Sequence, residues 1–153
     1  KNITLVYAGQ DEGMKQKLIA RTKDLNIQNL VKFLDFVDGE EKKTLYSKAL
    51  FLVVPSRSEA MSIVALESGV YCTPVIATEE CGLDALAKLD RNLIVEASIE
   101  GISKGLNYGL KNKKNLISIG YKWNKCVKKV FIWDNIAKNI TRWFEEIIHQ
   151  NRN

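Results

Sequence analysis

Between Leu50 and Thr78 the chain reads LFLVVPSRSEAMSIVALESGVYCTPVIAT, and no other stretch leaves so few ways to fold. Leu50 to Val54 is a short apolar run without polar alternation, the pattern of a buried strand. Pro55 and Ser56 stop it. Ser58 and Glu59 are suited to opening a helix. Met61, Val64, Ala65 and Ser68 then recur at helical spacing, and Gly69 stands where a C-terminal glycine would. Pro74 opens a second buried strand, Val75 to Ala77. Strand, helix, strand in this order predicts a parallel crossover.

The chemistry of that unit lies at its first junction. Unpaired amides at a helix N-terminus attract anions, phosphate above all. With a helix opening at Ser58 and Glu59, those amides belong to Ala60, Met61, Ser62 and Ile63. Two carboxylates flank them, Glu59 and Glu67. On one helix they stand about 12 Å apart along the axis and roughly 80° apart around it. That is too far for a shared proton and suits two ends of an extended ligand with phosphates between.

The rest of the chain alternates in the same way. Ile3 to Ala8 reads as a central buried strand, and Gly9 to Gly13 as a turn in which Asp11 caps a helix ending near Asp24. Val31 to Phe36 is the next strand. Glu40 to Lys48 is a short helix with Leu45 and Ala49 inward. Asn92 to Glu96 is a last strand, and Ile99 to Leu110 a helix with Ile102, Leu106 and Leu110 at spacing four. Five strands alternating with helices predict an α/β fold built on one parallel sheet. Asp134 to Gln150 is amphipathic, with Ile136, Ile140, Phe144, Ile147 and Ile148 on one face and Trp133 and Trp143 expected at its edges.

Bulk properties narrow the function classes. A chain of 153 residues with 46% hydrophobic and 27% charged residues is expected to form one domain, residues 1–153. No apolar run reaches membrane-spanning length. Lys1 leads straight into a strand, so no signal peptide is read. Cys72, Cys81 and Cys126 lack metal-binding spacing and fit reduced thiols in a cytoplasmic protein. The single histidine, His149, lies in the tail, which disfavours zinc and excludes a Ser-His or Cys-His triad within the chain. The net charge of +5 favours anionic partners. From Lys104 to Lys129 there are eight lysines and no acidic residue. That segment reads as a solvated helical surface or as a basic face leaning on anionic lipid. Nucleic acid fits less well, since arginine and an aromatic stacking array are both missing there.

The Leu50–Thr78 unit resembles a known family. P-S-x-x-E, seven residues, a second Glu, then P-V-I-A-T is similar to the donor-site signature of the group 1 glycosyltransferases. Gly9 after a strand, Val31-Lys32-Phe33-Leu34 followed by Phe36-Val37, and Trp133 opening the last helix also fall where that family has counterparts. The resemblance implies the C-terminal half of a two-domain, B-type architecture: a Rossmann-like parallel sheet with helices on both faces. It implies a retaining enzyme that transfers a sugar from a nucleotide-sugar, UDP- or GDP-linked, to a glycan or lipid-linked acceptor in surface polysaccharide or glycolipid synthesis. By position, Glu67 would bind the ribose and Glu59 would lie by the donor sugar as the catalytic carboxylate. The amides of Ala60 to Ile63 would hold sugar and diphosphate, and the base would rest near Phe36 and Val37, with Gly9 close by. Otherwise Phe36 is a core residue. Gly82 and Asp84 are candidates for a loop closing over the sugar, or else belong to an ordinary helix entry.

Glu59-Ala60-Met61-Ser62 stands where the family usually has Glu-Gly-Phe-Gly, which keeps the amides but fills space a sugar would use. No metal or other cofactor is implied. The resemblance also implies a strand-helix unit and an acceptor domain ahead of Lys1, so the isolated chain is expected to be inactive. An unfilled sheet edge would permit self-association. Localisation is expected to be cytoplasmic, with a peripheral position at the inner face of the plasma membrane. Two alternatives stand beside this reading: a nucleotide-sugar epimerase of the same architecture, and a non-catalytic nucleotide-binding module.

Overall fold

The computed structural model describes residues 3–150. In chain order the elements are β1 (Leu5–Ala8), α1 (Lys15–Asp24), β2 (Val31–Leu34), α2 (Gly39–Lys48), β3 (Leu52–Val54), α3 (Ile63–Val70), β4 (Val75–Thr78), α4 (Asp84–Ala87), β5 (Ile94–Val95), α5 (Ile99–Lys111), α6 (Lys113–Val130) and α7 (Trp133–Gln150). Short 3-10 turns precede β2, follow β4 and precede β5. All strand pairings are parallel, as an alternating β/α order demands. The strands form a pair, β1–β2, and a sheet ordered β3–β4–β5, rather than the one five-stranded sheet expected. Two compact units follow, residues up to Thr44 and residues from Leu45 onward.

In the first unit, Leu5 pairs with Val31 and Ala8 with Leu34. Tyr7 and Phe33 stack with ring centroids 5.2 Å apart. Asp11 caps α1 as read from the sequence: its Oδ1 accepts the amides of Gly13, Met14 and Lys15 at 2.9–3.0 Å. Those amides hold its carboxyl below the usual range. The expectation of a buried central strand fails for β1, whose four residues are all exposed. Its one partner among the described residues is β2, so its other edge carries unpaired backbone groups.

The second unit holds the main core. β4, with Ile76 at its centre, is buried along its length, and Leu86, Leu93, Leu116 and Trp123 are sealed around it. Helix α5 meets this sheet through glycines rather than through its leucines. Gly101, Gly105 and Gly109, at spacing four, are its buried residues. A Cβ on Gly105 would lie 2.7 Å from Ile76 Cγ2, and one on Gly109 would lie 2.9 Å from Phe51 Cε1. The missing side chains let the helix backbone approach the sheet.

Helix α6, hidden in the lysine-rich segment, is the brace of α3. Trp123 Nε1 donates to the Ala65 carbonyl at 3.0 Å. Asn124 Nδ2 donates to the carbonyls of Gly69 (2.9 Å) and Val70 (2.7 Å), satisfying the end of α3. Gly69 is therefore not a C-terminal cap. It lies inside α3 where a Cβ would sit 2.7 Å from Trp123 Nε1. The left-handed residue after the helix is Cys72, at φ 61°. α7 forms as expected but has no buried residue; Trp133 and Trp143 are 81% and 57% exposed rather than packed at its edges. No described helix is long and apolar enough to cross a membrane.

Trp123 is fully buried and joins α6 to α3. Trp123→Ala should cost about 3–5 kcal/mol. Urea unfolding followed by circular dichroism measures it; a loss below about 1 kcal/mol would contradict this packing.

Candidate functional site

The β3–α3–β4 crossover forms as predicted, with Leu52 opposite Val75 and Val54 opposite Ala77. Its helix starts later than the sequence implies. α3 begins at Ile63, with Ser62 as the residue before it in extended geometry. Ser58, Glu59, Ala60 and Met61 lie on the preceding bend. The reason is tertiary. The Ser62 amide donates to the Cys81 carbonyl at 3.2 Å, which pulls it out of helical register.

Further ties hold the same bend. Thr78 Oγ1 donates to the Ser56 carbonyl at 2.5 Å, and Cys81 Sγ donates to the Val54 carbonyl at 3.5 Å. Gly82, at φ 63°, nestles against Ala60, where a Cβ would come 2.2 Å from the carbonyl oxygen. Only glycine satisfies both the left-handed conformation and that approach. Gly82, read from the sequence as part of a closing loop, is thus a backbone support for the bend.

This moves the amides that the sequence offers to an anion. The Ser62 amide is used, and the Ser62 side chain is sealed, its Oγ buried without a hydrogen-bond partner. The unpaired, exposed start of α3 is Ile63 and Val64, 59% and 41% exposed. Ala60 and Met61 are exposed but belong to the bend, not to a helix. Glu59, half-buried on that bend, shares no helix with Glu67, so the axial spacing and rotation inferred for the two carboxylates do not apply.

Glu67 keeps a defined place. It lies four residues after Ile63, a rise of about 6 Å and a rotation of about 40°, so it shares a face with the open start of α3. Its Oε2 accepts the Tyr46 hydroxyl at 3.0 Å. Tyr46 is 8% exposed, stacks on Tyr71, and is fixed through its own carbonyl by Thr73 Oγ1 at 2.6 Å. Sequence reasoning placed Leu45 and Ala49 inward on α2 and missed Tyr46; Ala49 is exposed. A lone tyrosine beside a leucine carries no periodic signal that would have marked it.

In the first unit, Gly9 adopts φ 146° and its amide donates to the Asp35 carbonyl at 3.1 Å. Phe36 lies beyond the end of β2 and is 73% exposed, which removes its reading as a core residue; Val37 is half-buried. An open groove of about 420 Å³ lies elsewhere in the second unit, between Pro55 and Arg57 on one side and Ser98, Ile99, Ile102 and Leu106 on the other. Neither Glu59 nor Glu67 lines it.

The profile of the family described as "Glycosyl transferases group 1" matches residues 1–125. The chain belongs to the group 1 glycosyltransferases. Relatives agree. It is 33% identical over 139 residues to an uncharacterised glycosyltransferase of Methanocaldococcus jannaschii, covering 90% of this chain and 35% of that one. It is 29% identical over 148 residues to the O-antigen chain mannosyltransferase RfbU of Salmonella typhimurium, covering 95% and 39%. The fold matches that of sucrose-phosphate synthase from Thermosynechococcus elongatus with a TM-score of 0.78 at 22% identity, over 96% of this chain and 39% of that one. This glycosyltransferase chain therefore spans little more than a third of the length of each of these proteins. The B-type, Rossmann-like reading of the fold agrees with that likeness.

Burial first, and then the Glu67 carboxylate, push the Tyr46 hydroxyl well above the usual tyrosine range. A proton held more tightly in the folded state stabilises fully below the unfolded value of about 10, and that contribution fades as pH rises beyond it. Tyr46→Phe should cost about 1–2 kcal/mol at neutral pH, and its difference from the parent should narrow above pH ~10. Urea unfolding at neutral and alkaline pH tests this; a gap that widens with pH would contradict it.

Proposed function

We propose that this chain is the donor-binding part of a retaining glycosyltransferase, taking a UDP- or GDP-linked sugar and serving transfer to a glycan or lipid-linked acceptor. The observation that carries the reading is Glu67, oriented by a buried tyrosine hydroxyl and one turn beyond an open helix start. A carboxylate so held suits the two hydroxyls of a ribose, through charge-assisted hydrogen bonds. The Ile63 and Val64 amides and the dipole of α3 suit the diphosphate that lies next along the ligand.

The bond to break is sugar C1 to diphosphate oxygen. Negative charge grows on the leaving oxygen, and preorganised amides stabilise it there. Glu59, on the bend just ahead of α3, would meet the donor sugar beyond the phosphates. Ala60 and Ser62 stand where the family usually has glycines and Met61 where it has phenylalanine; the exposed pair, Ala60 and Met61, is assigned the selectivity for the sugar. Phe36, Val37 and Gly9 are kept as the base-binding candidates that the family pattern implies. No metal is part of this mechanism. An acceptor-binding domain outside this chain would complete the near-attack geometry, so residues 1–153, read as a single donor domain, would bind donor without turning it over. Self-association through an unpaired strand edge is compatible with the same reading. The epimerase alternative is not favoured, since the relatives above bear glycosyltransferase names.

Titration calorimetry with UDP, GDP, ADP and their sugar conjugates tests the proposal. Loss of a charge-assisted contact costs about 1.5–3 kcal/mol, so Glu67→Ala should weaken nucleotide binding about 10- to 150-fold. An unchanged dissociation constant would remove Glu67 from the site.

A further inference from the structure

We propose that the outer face of α6 docks on an anionic membrane surface. The helix turns Leu116, Ile119, Gly120, Trp123 and Val127 to the core. Its 3.6-residue period then places Lys114, Ile117, Tyr121, Lys125 and Lys128 in one stripe on the far side. All five are exposed, Ile117 at 60% and Tyr121 at 61%. Lys122 and Lys129 flank the stripe and are exposed as well. From Lys104 to Lys129 there is no carboxylate. Among the described residues none of the stripe's lysines enters an ion pair.

The combination selects the occupant. Lysines alone would be a solvated face. Here an isoleucine and a tyrosine, one turn apart, stand between lysines on the same side of a helix lying flat on its unit. The helix runs about 21 Å from Lys114 to Lys128. A lipid headgroup layer fits each part: ammonium groups meet anionic headgroups, the tyrosine ring sits at headgroup depth, and the isoleucine enters the acyl boundary. An RNA strand would need a series of stacking rings, and the stripe has one. The inference does not draw on the donor site, and its test uses no nucleotide.

The experiment is co-sedimentation of the full chain with phosphatidylcholine vesicles, with and without phosphatidylglycerol, across a salt series. Binding should need the anionic lipid and fall with salt. Each lysine near the surface contributes about fivefold. Combining Lys114→Gln, Lys125→Gln and Lys128→Gln should therefore lower partitioning about 100-fold. Ile117→Ser with Tyr121→Ser should weaken binding at unchanged charge. Lys17→Gln, Arg21→Gln and Lys23→Gln together, on α1, should leave it intact, and circular dichroism checks that every variant folds. No binding to anionic vesicles overturns the proposal, as does equal loss from the α1 variant. So does binding indifferent to Ile117 and Tyr121, together with equal retention on heparin, which would mark a general polyanion patch.

Discussion

The hydrogen bond from the Ser62 amide to the Cys81 carbonyl decides where α3 begins, and the site depends on that choice. It joins the bend after β3 to the turn after β4, two neighbouring parallel strands ending on the same side of the sheet. The Thr78–Ser56 and Cys81–Val54 bonds repeat the connection a few ångströms away. Each is worth about 1 kcal/mol. Together they turn a stretch that could wind into helix from Ser58 into a fixed bend, and leave Ile63 and Val64 as the open amides. The crevice outside the carboxyl ends of parallel strands is where ligands of open α/β sheets are held.

Rigidity behind the site comes from α6. It closes the carbonyl end of α3 through Asn124 and clasps its middle through Trp123, while a Cβ at Gly120 would sit 2.0 Å from the Cys72 carbonyl oxygen. α3 is thus unpaired at its start and satisfied at its other end. Tyr46 restrains the Glu67 carboxylate from a third direction. On the proposed function, a carboxylate and amides held this way would lose little entropy on meeting a nucleotide, which is what preorganisation for a developing charge requires.

Punctuation and period carried most of the fold in the sequence. The Pro-bounded strands, the Asp11 cap and the amphipathic tail needed only local chemistry. What escaped was decided by distant partners. Ser58 and Ser62 are equally good helix openers in isolation, and only Cys81, far along the chain, chooses between them. On α5, leucines and glycines both recur every four residues; the closeness of Ile76 and Phe51 hands the inner face to the glycines. Trp123 sits among lysines that mask a buried face. Among the candidate site residues, a motif marked Glu67 in the sequence, whereas Tyr46, whose hydroxyl it accepts, had no local signature.

The most direct test of the account is amide chemical-shift mapping of the chain titrated with a nucleoside diphosphate. The predicted result is saturable shifts at Ile63, Val64 and Glu67, with the Tyr46 ring responding in parallel. Shifts confined to the groove between Arg57 and Ile102, with α3 silent, would contradict it.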